Sequence, residues 1–216
     1  MKRGPLDTPD TATRILDVAE RLVQVRGFNG FSYADVAAEL EITKAALHYH
    51  FAGKSELGEA LIARYAARFA DALAEVEARS PDAPARLDAY AQLYLDVLRE
   101  QRMCLCGIMA AEYETLPASM KAAVVRFFDD NETWLARILE QGRKAGTLEF
   151  SGPAGDTARM VVSTLEGAML VARPFGDITR FQSASGHLLS GLRAVSTARA
   201  APRRRSTGAT GRRVPT

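Results

Sequence analysis

Apolar residues recur along this chain at three- and four-residue intervals in one segment after another. No stretch alternates apolar with polar as a half-buried strand would. That pattern confines the chain to an all-α fold. Ile15, Val18, Ala19, Leu22 and Val23 share one face of a first helix that ends near Gly27, and Phe28-Asn29-Gly30 reads as a turn. Ser32, with Asp35 three residues on, is placed to cap a short helix over 33–40. Thr43 is placed to cap another over 44–49, which Ala52-Gly53 breaks before a longer helix starts at Lys54 and runs to about residue 78.

Ser80-Pro81-Asp82-Ala83-Pro84 then interrupts the chain. A helix over about 85–101 follows, and after it a cysteine-containing segment to about Tyr113. Pro117 falls in the first turn of the clearest amphipathic stretch, where Met120, Ala123, Val124, Phe127, Phe128, Leu135, Ile138 and Leu139 line one face until the glycines at 142 and 146. Gly152-Pro153-Ala154-Gly155 separates this from a helix over 156–173 closed by Pro174, and a last helix spans about 178–195. About nine helices are expected.

Charge has to be read locally. The formal net charge is +2, but six arginines (Arg199, Arg203, Arg204, Arg205, Arg212 and Arg213) and no acids lie in residues 197–216. The remaining 22 basic residues face 26 acidic ones, so residues 1–196 carry about −4. Bulk charge therefore does not point to nucleic acid. The Arg/Pro/Ser/Gly-rich tail over 197–216 reads as disordered, as do residues 1–10. No run approaches the roughly 18 apolar residues of a membrane span, and no apolar run follows the basic start, so a cytoplasmic protein without membrane contact is expected. Cys104 and Cys106 are too close for an easy disulfide, and no second Cys or His pair lies near enough to complete a zinc site. No cofactor or metal is expected.

Three short helices within about forty residues can form a helix-turn-helix. In residues 42–51, Ile42, Ala46, Leu47 and Phe51 can face inward, which leaves Thr43, Lys44, Ala45, His48 and Tyr49 pointing out together. Small, hydroxyl, imidazole, phenol and ammonium groups on one helix face suit a major groove, where close approach and hydrogen bonding to bases or phosphates are needed. The same spacing also fits an ordinary bundle with Tyr49 and His50 packed inside and Lys44 and Lys54 simply solvated.

Over about residues 11–62 the sequence resembles the TetR (tetracycline-repressor-like) family of transcription regulators. The resemblance is carried by residues 14–19, Gly27-Phe28, residues 31–37, Thr43 through Phe51, and Gly53-Lys54-Ser55-Glu56-Leu57. It implies a helix-turn-helix DNA-binding domain over 11–54 and a larger helical effector-binding and dimerisation domain over 55–196. It also implies a homodimer that holds a palindromic double-stranded operator and is released by a small-molecule effector. Carried over by position, Thr43, Lys44, Ala45, His48 and Tyr49 belong to the recognition helix. Ser32 and Tyr33 start the helix that touches phosphates, and Lys54 lies where a phosphate would meet an ammonium and a helix amino terminus. Two positions depart from the family pattern: Glu41 stands in the tight turn where Gly is usual, and His48 replaces the commoner Tyr.

For the regulatory half, Met103, Cys106, Met109, Tyr113, Phe127 and Trp134 are expected to line an adaptable pocket for an apolar or aromatic effector. Inert packing and a redox- or electrophile-sensing thiol are the alternatives, the latter needing a neighbour such as Arg102 to lower a thiol pKa. Leu165, Ala168, Met169, Ala172, Phe181, Leu188 and Leu192 are expected to form a four-helix dimer interface, with an intramolecular core as the competing use of the same residues. A thiol enzyme would need a base beside the cysteines, and two of the three histidines already belong to the DNA motif. A nonspecific binder driven by the arginine tail would show a steep salt dependence and little sequence preference.

Overall fold

The computed structural model describes residues 10–194, and these form nine α-helices. The expected disorder at the amino terminus falls, apart from Asp10, outside the described residues, as does the whole arginine-rich tail. The helices are α1 (Thr11–Arg26), α2 (Tyr33–Leu40), α3 (Lys44–His50), α4 (Lys54–Arg79), α5 (Ala83–Arg99), α6 (Leu105–Ala111), α7 (Ala118–Lys144), α8 (Ala154–Ala172) and α9 (Thr179–Leu192). Short 3₁₀ turns follow α6 (Tyr113–Thr115) and α8 (Arg173–Phe175).

Side-chain chemistry accounts for most boundaries. Asp10 accepts from Thr13 N at 2.9 Å, Thr43 from Ala46 N at 3.1 Å and Asp82 from Ala85 N at 2.9 Å, each satisfying a backbone donor that a helix start leaves free. Gly27 ends α1 at φ 86°, a backbone conformation that favours glycine, and a Cβ there would meet the Glu112 carboxylate at 2.4 Å. Pro117 and Pro153 sit just ahead of α7 and α8, so α8 begins two residues before its expected start. The last helix stops at Leu192, short of residue 195, because Glu149 N donates to Leu192 O at 2.9 Å and Ala194 N to Thr147 O at 3.2 Å. Those two bonds tie the end of α9 to the α7–α8 loop.

Helices α1–α3 pack into a head around Ile15, Leu22, Val36 and Leu47, all but inaccessible to solvent. α4 emerges from that head and runs 26 residues into the larger bundle, where α7, α8 and α9 form the most extensive contacts. Arg64 of α4 bridges Asp17 at 2.7 Å and Glu20 at 2.8 Å, tying α4 to α1. No helix among the described residues is long and apolar enough to cross a membrane.

Candidate nucleic-acid interface

The apolar side of α3 is consumed by the head: Leu47 is fully buried, Phe51 nearly so, and Ile42 and Ala46 are half-buried. Thr43, Lys44, Ala45, His48 and Tyr49 are all left exposed on one continuous face. Tyr49 is 86% accessible, and among the described residues its ring pairs with one other ring, that of His50, edge-on at 5.3 Å. An aromatic ring with that exposure has no packing role in the chain, which excludes the ordinary-bundle use of Tyr49. His50 is half-buried against it.

Behind this face lies a set of fixed contacts. The Tyr33 hydroxyl donates to the Phe51 carbonyl at 3.0 Å, and burial pushes its pKa up to about 12, with the Glu56 carboxylate adding to the rise. The Tyr33 ring lies 4.8 Å from that of His48, whose Nδ1 is 3.1 Å from the Ala52 carbonyl oxygen. Ser32 donates both its N–H (2.7 Å) and its hydroxyl (2.6 Å) to Asp35 Oδ2, which holds the Asp35 carboxyl below its usual range. Lys54 is turned inward. Its ammonium donates to the Phe31 carbonyl at 2.5 Å and lies over the rings of Phe31 (4.4 Å) and Phe28 (4.8 Å), and burial lowers its pKa.

Ser32, Tyr33, Lys44, His48 and Lys54 nevertheless border one cleft of about 380 Å³ at the start of α2. Asp35 N and Val36 N bond back to the Ser32 carbonyl at 3.1 and 3.4 Å, but among the described residues the amides of Tyr33 and Ala34 have no such partner, so the cleft sets two backbone donors beside two lysines and suits an anion. Glu41 closes α2 at φ 55° and ψ 38°, the left-handed conformation that its sequence position demands. The residue is charged where glycine is free of strain, a difference of about 1–2 kcal/mol in backbone preference.

The expected effector pocket comes out differently. Met103, Cys106, Met109 and Phe127 are buried, and Trp134 is nearly so, but of these only Phe127 borders any of the larger cavities among the described residues. Trp134 stacks on Tyr90 at 5.6 Å and donates its indole N–H to Glu77 at 2.7 Å. Tyr113 stands apart, half-buried in its 3₁₀ turn with Lys121 over its ring. One open groove, of about 530 Å³, lies between α4 and α7, floored by Ile62, Ala63, Ala66, Ala123 and Phe127 and rimmed by Glu59, Arg126 and Asp130, and another of about 560 Å³ lies among Leu98, Arg102, Ala172 and Ile178.

The two thiols are shielded as well. Cys104 is 2% and Cys106 0% accessible. Burial raises both pKa values well above the ordinary thiol range, and the nearby Glu166 carboxylate raises them further. Arg102, the one expected activator, pairs instead with Glu100 at 3.2 Å.

The face expected to form the dimer interface needs correcting. Leu165, Met169, Ala172, Phe181 and Leu192 are buried inside the single chain, and Ala168 and Leu188 are half-buried. The first five belong to the intramolecular core, and Ala168 and Leu188 pack against its edge. The apolar residues left outside are Met160, Leu170, Val171 and Phe175, beside Gly167, whose missing side chain opens onto free space. α8 is apolar on both sides, so periodicity alone does not separate the two faces.

Three residues that carry the joint between head and bundle escaped the sequence reading. Gln24 Nε2 donates to the Met103 carbonyl at 3.0 Å, while Met103 N donates back to the Gln24 carbonyl at 3.2 Å. Glu112 accepts from Phe28 N at 2.6 Å and Asn29 N at 3.2 Å. Both flanks of α6 are thus bonded to the end of α1. Glu166 presses its carboxylate onto α6 itself, where a Cβ on Gly107 would lie 2.1 Å from it, and its Oε1 is buried without a hydrogen-bond partner among the described residues. Burial raises its pKa to about 7, an effect partly offset by the Cys104 thiol. Spacing could have revealed Glu166, which shares its helical side with buried Val162 and Met169. Nothing in the local pattern marks Gln24 or Glu112.

Two stretches of the chain match models of known protein families. A family model described as bacterial regulatory proteins, tetR family, matches residues 15–61, and one for the tetracyclin repressor-like C-terminal domain matches 83–188. The transcriptional repressor NemR of Escherichia coli K12 is 25% identical over 183 residues, 83% of this chain and 92% of NemR. A TetR-family regulator from Agrobacterium tumefaciens superposes with a TM-score of 0.83 at 32% identity, covering 85% of this chain and 97% of that one. A TetR regulator from Legionella pneumophila gives 0.80 at 29% identity, covering 87% and 100%. The reduced form of E. coli NemR gives 0.76 at 25% identity, also covering 87% and 100%.

Proposed function

The chain belongs to the TetR family of bacterial regulatory proteins, and from that premise we propose that it is a repressor, binding a palindromic operator as a homodimer and released by a small apolar or aromatic effector. The observation that carries this reading is the outer face of α3. Five side chains able to meet bases or phosphates are exposed on a helix whose other side is anchored in a rigid head. Thr43, Lys44, Ala45, His48 and Tyr49 enter the major groove, while the cleft bordered by Ser32, Tyr33 and Lys54 seats a phosphate. Residues 11–54 form the DNA-binding part and 55–196 the effector-binding and dimerising part. Repression rather than activation is supported by NemR, a repressor by name.

Dimerisation uses the outer side of α8, where Met160, Leu170 and Val171 flank an open glycine. Two heads must then stand roughly 34–36 Å apart to dock on successive major-groove faces. The effector enters the α4–α7 groove. Its binding energy acts on the head through the length of α4 and through the α6 bonds to Gln24, Phe28 and Asn29. A ligand shifts this equilibrium only by its difference in affinity for the two head spacings.

A thiol switch is the second reading. It is favoured by the structural likeness to NemR, solved in a form described as reduced, and by the place of Cys104 and Cys106 at α6. It is opposed by the burial of both thiols, which disfavours the reactive thiolate. If Cys106→Ser releases DNA on electrophile addition as readily as the parent protein, sensing at that position is ruled out. The repressor reading itself is tested by selection from random duplex DNA. It requires enrichment of a palindrome, and binding that ignores sequence at moderate salt refutes it.

A further inference from the structure

Hydrogen-bonding capacity is not evenly spread over the outer face of α3. The Thr43 hydroxyl oxygen already accepts from Ala46 N–H at 3.1 Å, which leaves its O–H free to donate, and the Lys44 ammonium can only donate. His48 differs. Its Nδ1 lies 3.1 Å from the carbonyl oxygen of Ala52, in the turn that joins α3 to α4. A carbonyl has no proton to give, so Nδ1 carries the hydrogen, and in the neutral ring Nε2 is left with a lone pair. The Tyr33 ring, itself fixed by its bond to Phe51 O, packs 4.8 Å from the imidazole and restricts its rotation. Among the described residues Nε2 has no partner, and the side chain is exposed.

We infer that His48 determines operator specificity: held in its Nδ1–H tautomer by the Ala52 carbonyl, it offers Nε2 as an acceptor and selects a base with an exocyclic amino group at one position of each half-site. In the major groove adenine N6 and cytosine N4 donate, whereas guanine N7 and O6 and thymine O4 only accept. Guanine or thymine at that position sets acceptor against acceptor and is rejected. The inference rests on the operator-binding reading and adds to it the chemical class of base that one residue reads.

The test pairs two measurements on the full chain. Random-sequence duplex DNA is selected with the parent protein and with His48→Ala, His48→Gln and His48→Arg. The parent enriches adenine or cytosine at one position per half-site. His48→Ala loses that preference, about fivefold or more in relative affinity. His48→Gln narrows it to adenine and His48→Arg moves it to guanine, following the pairings each side chain favours. Ring-nitrogen NMR of the free protein, with the His48 signals assigned through His48→Gln, shows a protonated Nδ1 and an unprotonated Nε2. An enriched palindrome whose bases are unchanged in all three variants overturns the inference and leaves the repressor reading standing. A protonated Nε2 in the neutral ring overturns it without reference to DNA. Failure of the parent protein to enrich any site removes the operator reading and this inference together.

Discussion

The head and the regulatory bundle are built from the same amphipathic helices but use their side chains in opposite ways. In the head, packing and function fall on separate residues: Leu47 and Phe51 hold α3 in place while Tyr49 and His48 face outward. In the bundle the two uses meet on one residue: Phe127 packs against Tyr65 and Phe69 in the core and also floors the α4–α7 groove proposed for the effector. The face of α3 proposed to read DNA is already formed in the free chain. Substitutions in the two regions should therefore fail in different ways.

The largest effect is expected in the bundle. Phe181→Ala should cost about 3–5 kcal/mol of stability, measured by denaturant unfolding, because the ring is 1% accessible within one chain. Leu170→Asp, on the outer side of α8, should instead dissociate the dimer and leave helicity intact. Phe181→Ala yielding a folded, undestabilised monomer would reverse that assignment. Next comes Glu166. Its folded pKa, raised to about 7 from 4.5, means the folded state holds a proton the unfolded state has released. Stability is therefore fully present below about pH 4.5, is lost as pH rises toward 7, and levels off above that, by an amount on the order of 3 kcal/mol. Glu166→Gln should abolish this slope in unfolding curves taken from pH 4.5 to 8, and an unchanged slope assigns it elsewhere.

Effects in the head should be smaller in stability and fall on binding. Tyr49→Ala should weaken operator affinity by about 1–3 kcal/mol while shifting unfolding by less than about 0.5 kcal/mol. Equal losses in both would mean the ring packs in solution. The smallest effect is a gain: Glu41→Gly relieves the left-handed backbone at φ 55° and should raise stability by up to about 1 kcal/mol, offset in part by the greater freedom of glycine in the unfolded chain.

The same division explains what could be read from the sequence. Helix phase and caps were legible because they are local. Asp35 with Ser32 and Thr43 with Ala46 are residues three positions apart, whereas the special turn position of Glu41 was visible only through the family resemblance. The exposed face of α3 followed from the same phase. The two sides of α8 did not, since Leu165 and Leu170 carry the same chemistry and only the packed structure shows which side the core occupies. Lys54 was placed correctly at the start of α4, but its ammonium turns to Phe31, a contact 23 residues away that no local rule contains. Gln24 and Glu112 bond to residues about eighty positions distant, beyond the reach of periodicity.

The claim on which the rest depends is that two copies of the α3 outer face occupy successive major-groove faces of one duplex. Methylation interference on a selected operator probes it directly, because the modified guanine N7 lies in the major groove. Two zones of interference centred about 10–10.5 base pairs apart, both weakened by Tyr49→Ala, are the predicted result. A single zone, or interference without any spacing, would contradict it.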